Sequence, residues 1–340
     1  MEPNPLVGAV IVHDGKLIGE GWHERFGGPH AEIQALRSTT QDPEGSTLFV
    51  TLEPCCHLGK TPPCTEAVIR AGIRRVIYGL EDSFPLVSGN GLVQLRAAGI
   101  EVKGPVLEEE AKALVAPFRM LNNQKRPWVI VKTAVSLDGK IATSTRKSKW
   151  ITGEISRKFA HFWRGRVDAI AIGIGTVLAD DPLLTARPNG PRHAVRVVFD
   201  RSGKLPSKSA LVMTAKETPV VVVTSTASSP SWREQMQRSG IELWMFDHKP
   251  ILSFLREAGM RQWTRVLVEG GGGLAGSFLD ENVVDELHHY QAPMLIGGCG
   301  APSGFMGEGC KVLEKSWRGR LMEQIQLGCD SFSRYVRISE

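Results

Sequence analysis

One histidine, one glutamate and two cysteines near the start of the chain have the types and spacing of a zinc-dependent hydrolytic site. His30 and Glu32 stand at the expected start of a helix, and Cys55 and Cys64 follow an apolar strand. A neutral imidazole and two thiolates can bind Zn²⁺ and leave its fourth position open for a water molecule, whose pKa then falls to about 7. A nearby carboxylate can take the proton of that water and deliver it to a leaving amine. The pattern predicts zinc ligands at His30, Cys55 and Cys64 and a proton shuttle at Glu32.

The combination His-x-Glu with Pro-Cys…Cys is the signature of zinc nucleobase deaminases, in which the glutamate is not a ligand. The alternative is that His30 caps a helix and the cysteines are small buried hydrophobic residues, which would require three unrelated coincidences. Cys56 and His57 lie beside the motif and are further ligand candidates. A residue next to a ligand at a helix N-terminus usually points elsewhere, so they stay outside the predicted set.

A second candidate site is the glycine run Gly270, Gly271, Gly272 and Gly273, between an apolar strand ending at Glu269 and an expected helix over residues 274–279. Glycines let the backbone approach a phosphate, and a helix N-terminus adds a positive dipole. The run also contains a Gly-x-Gly-x-x-Gly string, but no acidic residue follows at the position a dinucleotide-binding unit needs. A tight turn without a ligand therefore remains an alternative.

Length and composition fit two globular domains. The 340 residues exceed one ordinary core, 42% are hydrophobic and 23% are charged. A net charge of +5 without a basic patch does not indicate a nucleic-acid binder, but it suits small phosphorylated ligands. The cysteines do not form a secreted disulfide framework, and neither a membrane-spanning run nor a leader is recognisable. We expect a cytoplasmic enzyme without a membrane partner.

The positioning elements alternate between strands and helices, which predicts an α/β fold in both halves. The first half opens with a hairpin over residues 7–12 and 16–21 and continues with strands over 47–51, 75–78 and 100–103. Helices are predicted over 65–71, 91–98 and 107–121. The polar stretch 122–127 is the predicted linker, which gives domains 1–123 and 127–340. Further strands are predicted over 128–134, 169–172, 195–199, 220–224 and 265–268.

The motifs together resemble the bifunctional riboflavin biosynthesis protein family over nearly the whole chain. The first half carries Pro3-Asn4-Pro5, His30-Ala31-Glu32 and Thr51-Leu52-Glu53-Pro54-Cys55, with the usual Cys-x-x-Cys opened to a longer interval ending at Cys64. The second half carries Lys132-Thr133-Ala134, Asp138-Gly139-Lys140, Gly173-x-Gly175-Thr176 and Asp180-Asp181-Pro182 in the order of the family's reductase.

The resemblance implies a cytidine-deaminase-like three-layer α/β domain followed by a dihydrofolate-reductase-like α/β domain. The first would remove the 2-amino group of 2,5-diamino-6-(5-phosphoribosylamino)pyrimidin-4-one. The second would use NADPH to reduce the ribosyl group to ribityl. We also expect a homo-oligomer and no nucleic-acid partner.

The resemblance also assigns site residues. In the first domain it implies zinc at His30, Cys55 and Cys64, proton transfer by Glu32, and substrate contact by Asn4. For NADPH it implies Ala134, Trp150, Thr176, Asp180, Gly270, Gly271, Gly272 and Gly273. For the second substrate it implies Ser148, Arg164, Leu184, Arg187 and Glu269.

Several residues of the second half have two interpretations. Arg164 and Arg187 can hold a phosphate by forked hydrogen bonds, although an exposed arginine is otherwise a solvated charge. Lys132 and Asp138 would position the opened ribose or supply a proton, or else form a salt bridge at the strand end. Arg201 is a candidate partner for the 2′-phosphate of NADPH.

The chain departs from the family pattern at three places. Cys56 replaces a serine, Asp82-Ser83-Phe84-Pro85 stands where the family has Asp-Pro-Asn-Pro, and the sequence starts at the Pro-Asn-Pro motif without the family's first helix. One alternative is therefore a reductase with an inactive, truncated deaminase domain. A second alternative is a nucleic-acid base deaminase. The widened cysteine spacing, the reductase-like second half and the dispersed charge argue against it.

Overall fold

The computed structural model describes residues 4–58, 62–82 and 88–338. The chain divides into two compact units, residues 1–124 and residues 125–340. Within the described residues, no helix is both long and apolar enough to cross a membrane. Pro3, residues 59–61 of the cysteine interval and residues 83–85 of the Asp82 motif lie outside the described residues.

The first unit is built on a mixed five-stranded sheet. Its strands are β1 Gly8–His13, β2 Lys16–Trp22, β3 Thr47–Val50, β4 Arg75–Tyr78 and β5 Glu101–Lys103. The spatial order is β2-β1-β3-β4-β5, with β1 antiparallel to both neighbours and β3, β4 and β5 mutually parallel. Asp14 and Gly15 close the first hairpin with φ of 47° and 76°, the left-handed pair that a tight two-residue hairpin turn requires.

The described residues of this unit also form four helices: α1 Ala31–Arg37, α2 Cys64–Arg70, α3 Asn90–Ala97 and α4 Glu108–Gln124. The core joins inward-facing strand residues such as Ile11, Leu48 and Val76 to Val68 of α2 and Leu92 of α3, all with at most 1% exposure. Because β3 and β4 are parallel and adjacent, the loops after them share one edge of the sheet, and this edge carries the predicted cysteine motif.

The second unit is built on a nine-stranded sheet. Its strands are β6 Trp128–Ser136, β7 Ala169–Gly173, β8 Val195–Phe199, β9 Val220–Thr224, β10 Glu242–Met245, β11 Arg265–Val268, β12 Glu286–Ala292, β13 Gly319–Leu327 and β14 Asp330–Arg337. The order is β10-β9-β8-β7-β11-β6-β12-β14-β13, parallel from β10 to β12 and antiparallel for the last two strands. The strand β9 is buried at every position, as parallel strands covered on both faces are.

Six α-helices form in the part of this unit that the structure describes: α5 Glu154–Arg164, α6 Ile174–Asp180, α7 Ala210–Met213, α8 Pro230–Arg238, α9 Pro250–Met260 and α10 Gly272–Asp280. Its main core packs strand residues such as Val197 and Val266 against Phe254 of α9 and Phe278 of α10. The α/β prediction is confirmed in both units.

Two predicted boundaries are wrong. The linker does not begin at residue 122, because α4 continues to Gln124, where the side-chain amide of Asn122 donates to the carbonyl of Phe118 one turn back. The helix ends at Gln124, and the next residue, Lys125, has a left-handed φ of 54°. The glycine loop is also shorter than predicted, since Gly272 and Gly273 are already the first residues of α10.

The strands β12 to β14 are not among the elements predicted from sequence. The strand β12 alternates buried and half-buried positions, but its buried positions include Glu286, His288 and Tyr290. Polar residues on the inward face hide the alternation of apolar and polar residues that marks a strand in sequence.

Candidate active sites

The three predicted zinc ligands converge in the first unit. His30 directly precedes α1, Cys55 lies in the loop after β3, and Cys64 is the first residue of α2. The His30 Nδ1 atom lies 3.4 Å from the Sγ of Cys55 and 3.3 Å from the Sγ of Cys64, and all three donor atoms fall within 4.8 Å of one another. Tetrahedral zinc with ordinary bond lengths separates such N and S ligands by roughly 3.6 Å. The donor set therefore fits zinc in both chemistry and spacing.

Glu32 lies beside this cluster on the first turn of α1 and is only 3% exposed. Burial raises the pKa of Glu32 to about 7, because a carboxylate loses its hydration there. A carboxyl group with a pKa close to neutral can both accept and return a proton, which is the property that a proton shuttle needs.

A pocket of about 310 Å³ opens over these residues. Its volume lies in the range of small-molecule sites. Asn4, His30, Glu32 and Cys55 line it, so the structure brings the predicted substrate contact together with the metal cluster. The remaining lining residues are Pro5, Val7, His23, Phe26, Gly27, Gly28, Leu52, Glu53, His57, Asp82, Phe118 and Asn122.

His23 is a site residue that the sequence analysis did not identify. Its ring is 2% exposed and stands edge-on to His30, with 5.3 Å between the ring centres. Its Nε2 lies 2.9 Å from the amide nitrogen of Asn4, which can only donate, and its Nδ1 lies 3.0 Å from the carbonyl of Pro29. His23 thus holds Asn4 and the turn before His30 while remaining neutral, and burial lowers its pKa accordingly. A single histidine after a strand carries no sequence pattern that would have revealed this role.

Glu53 of the Leu-Glu-Pro-Cys motif holds the backbone of the site. Its buried carboxylate accepts four backbone N–H groups, from Asp82, Gly89, Gly91 and Leu92, at 2.9–3.4 Å. A side chain on Gly91 would collide with the carbonyl of Pro54, so glycine permits the close approach of α3 to the cysteine loop. Cys56 and His57 are not part of the three-ligand cluster, although His57 lines the pocket.

In the second unit, several predicted residues meet at the carboxyl edge of the sheet. The strand β11 pairs in parallel with both β6 and β7, so their carboxyl ends lie side by side. Ala134 lies near the end of β6, α6 follows β7, and Glu269 and Gly270 follow β11. The hydroxyl of Thr176 in α6 accepts the N–H of Gly271 at 3.2 Å, which joins the two loops. Ligands of open α/β sheets bind at such an edge.

The guanidinium of Arg164, which was predicted to hold a phosphate, is paired with Glu269 in this structure. Its Nε and one terminal nitrogen donate to the two carboxylate oxygens of Glu269, at 2.7 and 2.8 Å, and the other terminal nitrogen faces the carbonyl of Thr185 at 3.3 Å. The Glu269 side chain is only 5% exposed and that of Arg164 is 16% exposed, and a buried carboxylate requires such a partner. Arg164 thereby fixes Glu269 and the loop that contains Leu184. Arg187, on the same loop, is exposed.

The glycines around Gly272 divide into two kinds. A methyl group on Gly272 or Gly276 would collide with the backbone of Ser303 or Met306, so these two permit tight packing. By contrast, a methyl on Gly273 would meet nothing within 4 Å, and one on Gly271 only the Thr176 hydroxyl at 3.8 Å. The open backbone at Gly271 and Gly273, at the start of α10, fits a dinucleotide phosphate.

The other predicted residues of this unit lie around that edge. Lys149, between Ser148 and Trp150, pairs with Asp180 at 3.2 Å, which ties this segment to the end of α6. Trp150 is 67% exposed and stacks on the guanidinium of Arg157. Leu184 is buried and has a φ of 54°.

Lys132 and Asp138 do not form the alternative strand-end salt bridge. Lys132 is in mid-strand, with its ammonium 5.5 Å from the ring centre of Tyr290, and burial lowers its pKa. The Asp138 carboxylate instead accepts the Ser136 hydroxyl and two backbone N–H groups. Arg201 is exposed just after β8.

Comparison with known proteins identifies both units. A family model described as the cytidine and deoxycytidylate deaminase zinc-binding region matches residues 1–80, and the RibD C-terminal domain model matches residues 127–331. The chain is 40% identical to the riboflavin biosynthesis protein RibD of Actinobacillus pleuropneumoniae, over 99% of this chain and 90% of that protein. It is 41% identical to the RibD protein of Aquifex aeolicus, over 98% and 93%.

Solved structures agree with these sequence matches. Acinetobacter baumannii RibD aligns with a TM-score of 0.82 and 36% identity, over 100% of this chain and 94% of that one. A Thermotoga maritima protein, described as a diaminohydroxyphosphoribosylaminopyrimidine deaminase/5-amino-6-(5-phosphoribosylamino)uracil reductase, aligns with a TM-score of 0.82 and 38% identity, over 99% and 93%. The resemblance inferred from the motifs is confirmed. The chain belongs to the RibD family and is a bifunctional enzyme of riboflavin biosynthesis, with a zinc-dependent deaminase domain followed by an NADPH-dependent reductase domain.

Proposed function

We propose that this chain deaminates 2,5-diamino-6-(5-phosphoribosylamino)pyrimidin-4-one and then reduces the ribosyl group of the product to ribityl. The observation that carries the first step is the meeting of His30, Cys55 and Cys64 donor atoms within 4.8 Å, beside a buried glutamate and a pocket. The same substrate pair is named for the Thermotoga maritima relative. We assign residues 1–123 to the deaminase and 127–340 to the reductase.

In the deaminase step, His30, Cys55 and Cys64 would hold zinc. Bound zinc lowers the pKa of a water molecule to about 7 and so provides the nucleophile for the ring carbon that bears the 2-amino group. Glu32 takes the proton released from that water and passes it to the departing amino group, which leaves as ammonia. Asn4, oriented by His23, would contact the substrate.

In the reductase step, the carboxyl edge of the second sheet would bind cofactor and substrate together. Bound NADPH supplies the hydride for C1′ of the opened sugar. Gly271 and Gly273 leave room for its phosphates. The resemblance to the family adds Gly270, Gly272, Ala134, Trp150, Thr176 and Asp180 to the proposed cofactor site. Arg164 holds Glu269 in place, Arg187 is the exposed cation left to meet the substrate phosphate, and Ser148 and Leu184 complete the proposed substrate site.

We also propose that the substrates are free phosphorylated pyrimidines, and that the chain acts in the cytoplasm as a homo-oligomer without a nucleic-acid or membrane partner. The small net charge of +5 supports the first point, because nucleic-acid binding relies on concentrated positive charge. Light scattering of the purified chain tests the oligomer, and a monomer would contradict it.

A two-substrate assay tests the order of the steps. The parent chain should oxidise NADPH when given either the diamino substrate or its deaminated product. The Glu32→Gln variant should release no ammonia, should oxidise NADPH with the deaminated product at the parental rate, and should leave NADPH untouched with the diamino substrate. If Glu32→Gln oxidised NADPH with the diamino substrate as fast as the parent, deamination would not have to come first and the proposed sequence would be wrong.

A further inference from the structure

The helix α4 contributes to the deaminase pocket although it lies outside both matched regions. The zinc-binding region ends at residue 80 and the C-terminal domain begins at residue 127, whereas α4 spans Glu108–Gln124. Phe118 and Asn122 of this helix nevertheless line the same pocket as His30 and Glu32. The general zinc site of the deaminase class is therefore completed in this chain by side chains from a different segment.

The helix is held firmly against the strand ends that carry the site. Ala111 and Val115 pack with Leu52 and Leu80, the second residues after β3 and β4. Gly79 makes this approach possible, because a methyl group there would lie only 3.1 Å from the side chain of Ala111. Since Leu52 is followed by the loop that leads to Cys55, the position of α4 is fixed relative to the metal ligands.

Phe118 and Asn122 continue the face of α4 that carries Ala111 and Val115, about one and two turns further along the helix. The buried positions of α4 are Ala111, Val115, Pro117 and Leu121, whereas Phe118 and Asn122 are only half-buried. They are four residues apart and hence lie on one face of the helix. The Asn122 amide nitrogen donates to the Phe118 carbonyl at 2.9 Å, which orients the amide and leaves its oxygen and second N–H for another partner.

We infer that α4 determines the substrate specificity of the deaminase site: Phe118 packs against a face of the pyrimidine ring, and Asn122 hydrogen-bonds a polar substituent at the ring edge. A flat aromatic wall next to an oriented amide suits a heteroaromatic ring with polar edges. This inference rests on the proposed deaminase function. It adds two substrate-binding residues to those carried over from the family.

Steady-state ammonia release from the diaminopyrimidine ribosylamine phosphate tests the inference in the full-length, zinc-loaded chain. Phe118→Ala should raise KM roughly tenfold or more, because loss of ring stacking typically costs that much affinity. Asn122→Ala should raise KM about fivefold, as expected for one lost hydrogen bond. In both variants kcat should stay within about threefold of the parent, because neither side chain transfers a proton.

Two residues of the same helix that do not line the pocket provide matched controls. Leu114→Ala and Asn123→Ala should leave KM within about twofold of the parent. Every variant should keep about one zinc per chain and reduce the deaminated product at the parental rate, which excludes general unfolding. Phe118→Tyr should restore most of the parental KM.

The inference is overturned if Phe118→Ala and Asn122→Ala both keep a parental KM while the parent is active. If Phe118→Ala lost zinc, Asn122→Ala alone would decide, and an unchanged KM there would overturn the inference. A parent that released no ammonia would instead refute the deaminase function on which the inference rests.

Discussion

Two glycines of the same helix, Gly273 and Gly276, should respond oppositely to the same Gly→Ala substitution. A methyl on Gly276 would coincide with the carbonyl oxygen of Met306, which would have to withdraw by about 2 Å to reach van der Waals contact. That movement would also break the hydrogen bond from the N–H of Met306 to the carbonyl of Gly272, which is 2.9 Å long. A methyl on Gly273 meets open space.

The magnitudes follow from these contacts. For Gly276→Ala, overpacking costs about 3 kcal/mol and the lost hydrogen bond about 1, against about 1 kcal/mol gained in helix propensity. The net destabilisation is about 3 kcal/mol. In a unit of 216 residues (340 minus 124) it should lower Tm by roughly 6–12 °C. Gly273→Ala gains propensity without a clash and should keep or raise Tm.

Calorimetry and NADPH titration separate the two roles. Gly273→Ala should weaken NADPH binding by roughly tenfold, because the methyl group occupies the space through which a phosphate approaches the backbone. Gly276→Ala should lower Tm even when no cofactor is bound. Equal Tm values for the two variants would refute the division of these glycines into packing and cofactor positions, and an unchanged NADPH affinity in Gly273→Ala would refute the cofactor half.

Three further predictions concern the buried charges and the metal. Glu53→Ala should destabilise the first unit by about 2–4 kcal/mol in urea unfolding, since four backbone N–H groups lose their acceptor; an unchanged midpoint would contradict this. Burial disfavours the Glu269 carboxylate, but the charge and hydrogen bonds of Arg164 outweigh it and lower its pKa from 4.5 to about 2. The contribution of the ion pair to the free energy of unfolding is therefore complete above about pH 5 and is lost as pH falls towards 2. Glu269→Gln should make the free energy of unfolding depend less on pH in this range. An unchanged pH dependence would count against the ion pair. Cys64→Ala should lose zinc in metal analysis while Cys56→Ala keeps about one ion per chain, and the reverse result would overturn the ligand assignment.

The sequence predicted much of the fold and the zinc cluster because both leave short-range patterns. Apolar strands such as β9 are readable from composition, and the ligand spacing of His30, Cys55 and Cys64 is specific. The strand β12 was not readable, because its inward face carries Glu286 and His288, which form a hydrogen bond 2.6 Å long inside the fold.

Roles that depend on long-range contacts were also not predicted. Nothing in the sequence near Arg164 indicates that its partner is Glu269, 105 positions away. His23 and Phe118 belong to the pocket only because the sheet and α4 bring them there. An isolated side chain that belongs to no repeated spacing has no sequence pattern that marks it as a site residue. Tertiary structure is required to find it.

Zinc content and ammonia release, measured on the parent chain and on Glu32→Ala, test the central claim most directly. Glu66 is exposed on α2, two residues after Cys64, so Glu66→Ala is the matched control for loss of a carboxylate near the site. The parent and the control should hold about one zinc per chain and release ammonia, whereas Glu32→Ala should keep its zinc and release none. If the parent held no zinc or released no ammonia, yet oxidised NADPH with the deaminated substrate, the first unit would be catalytically inactive and the chain would act only as a reductase.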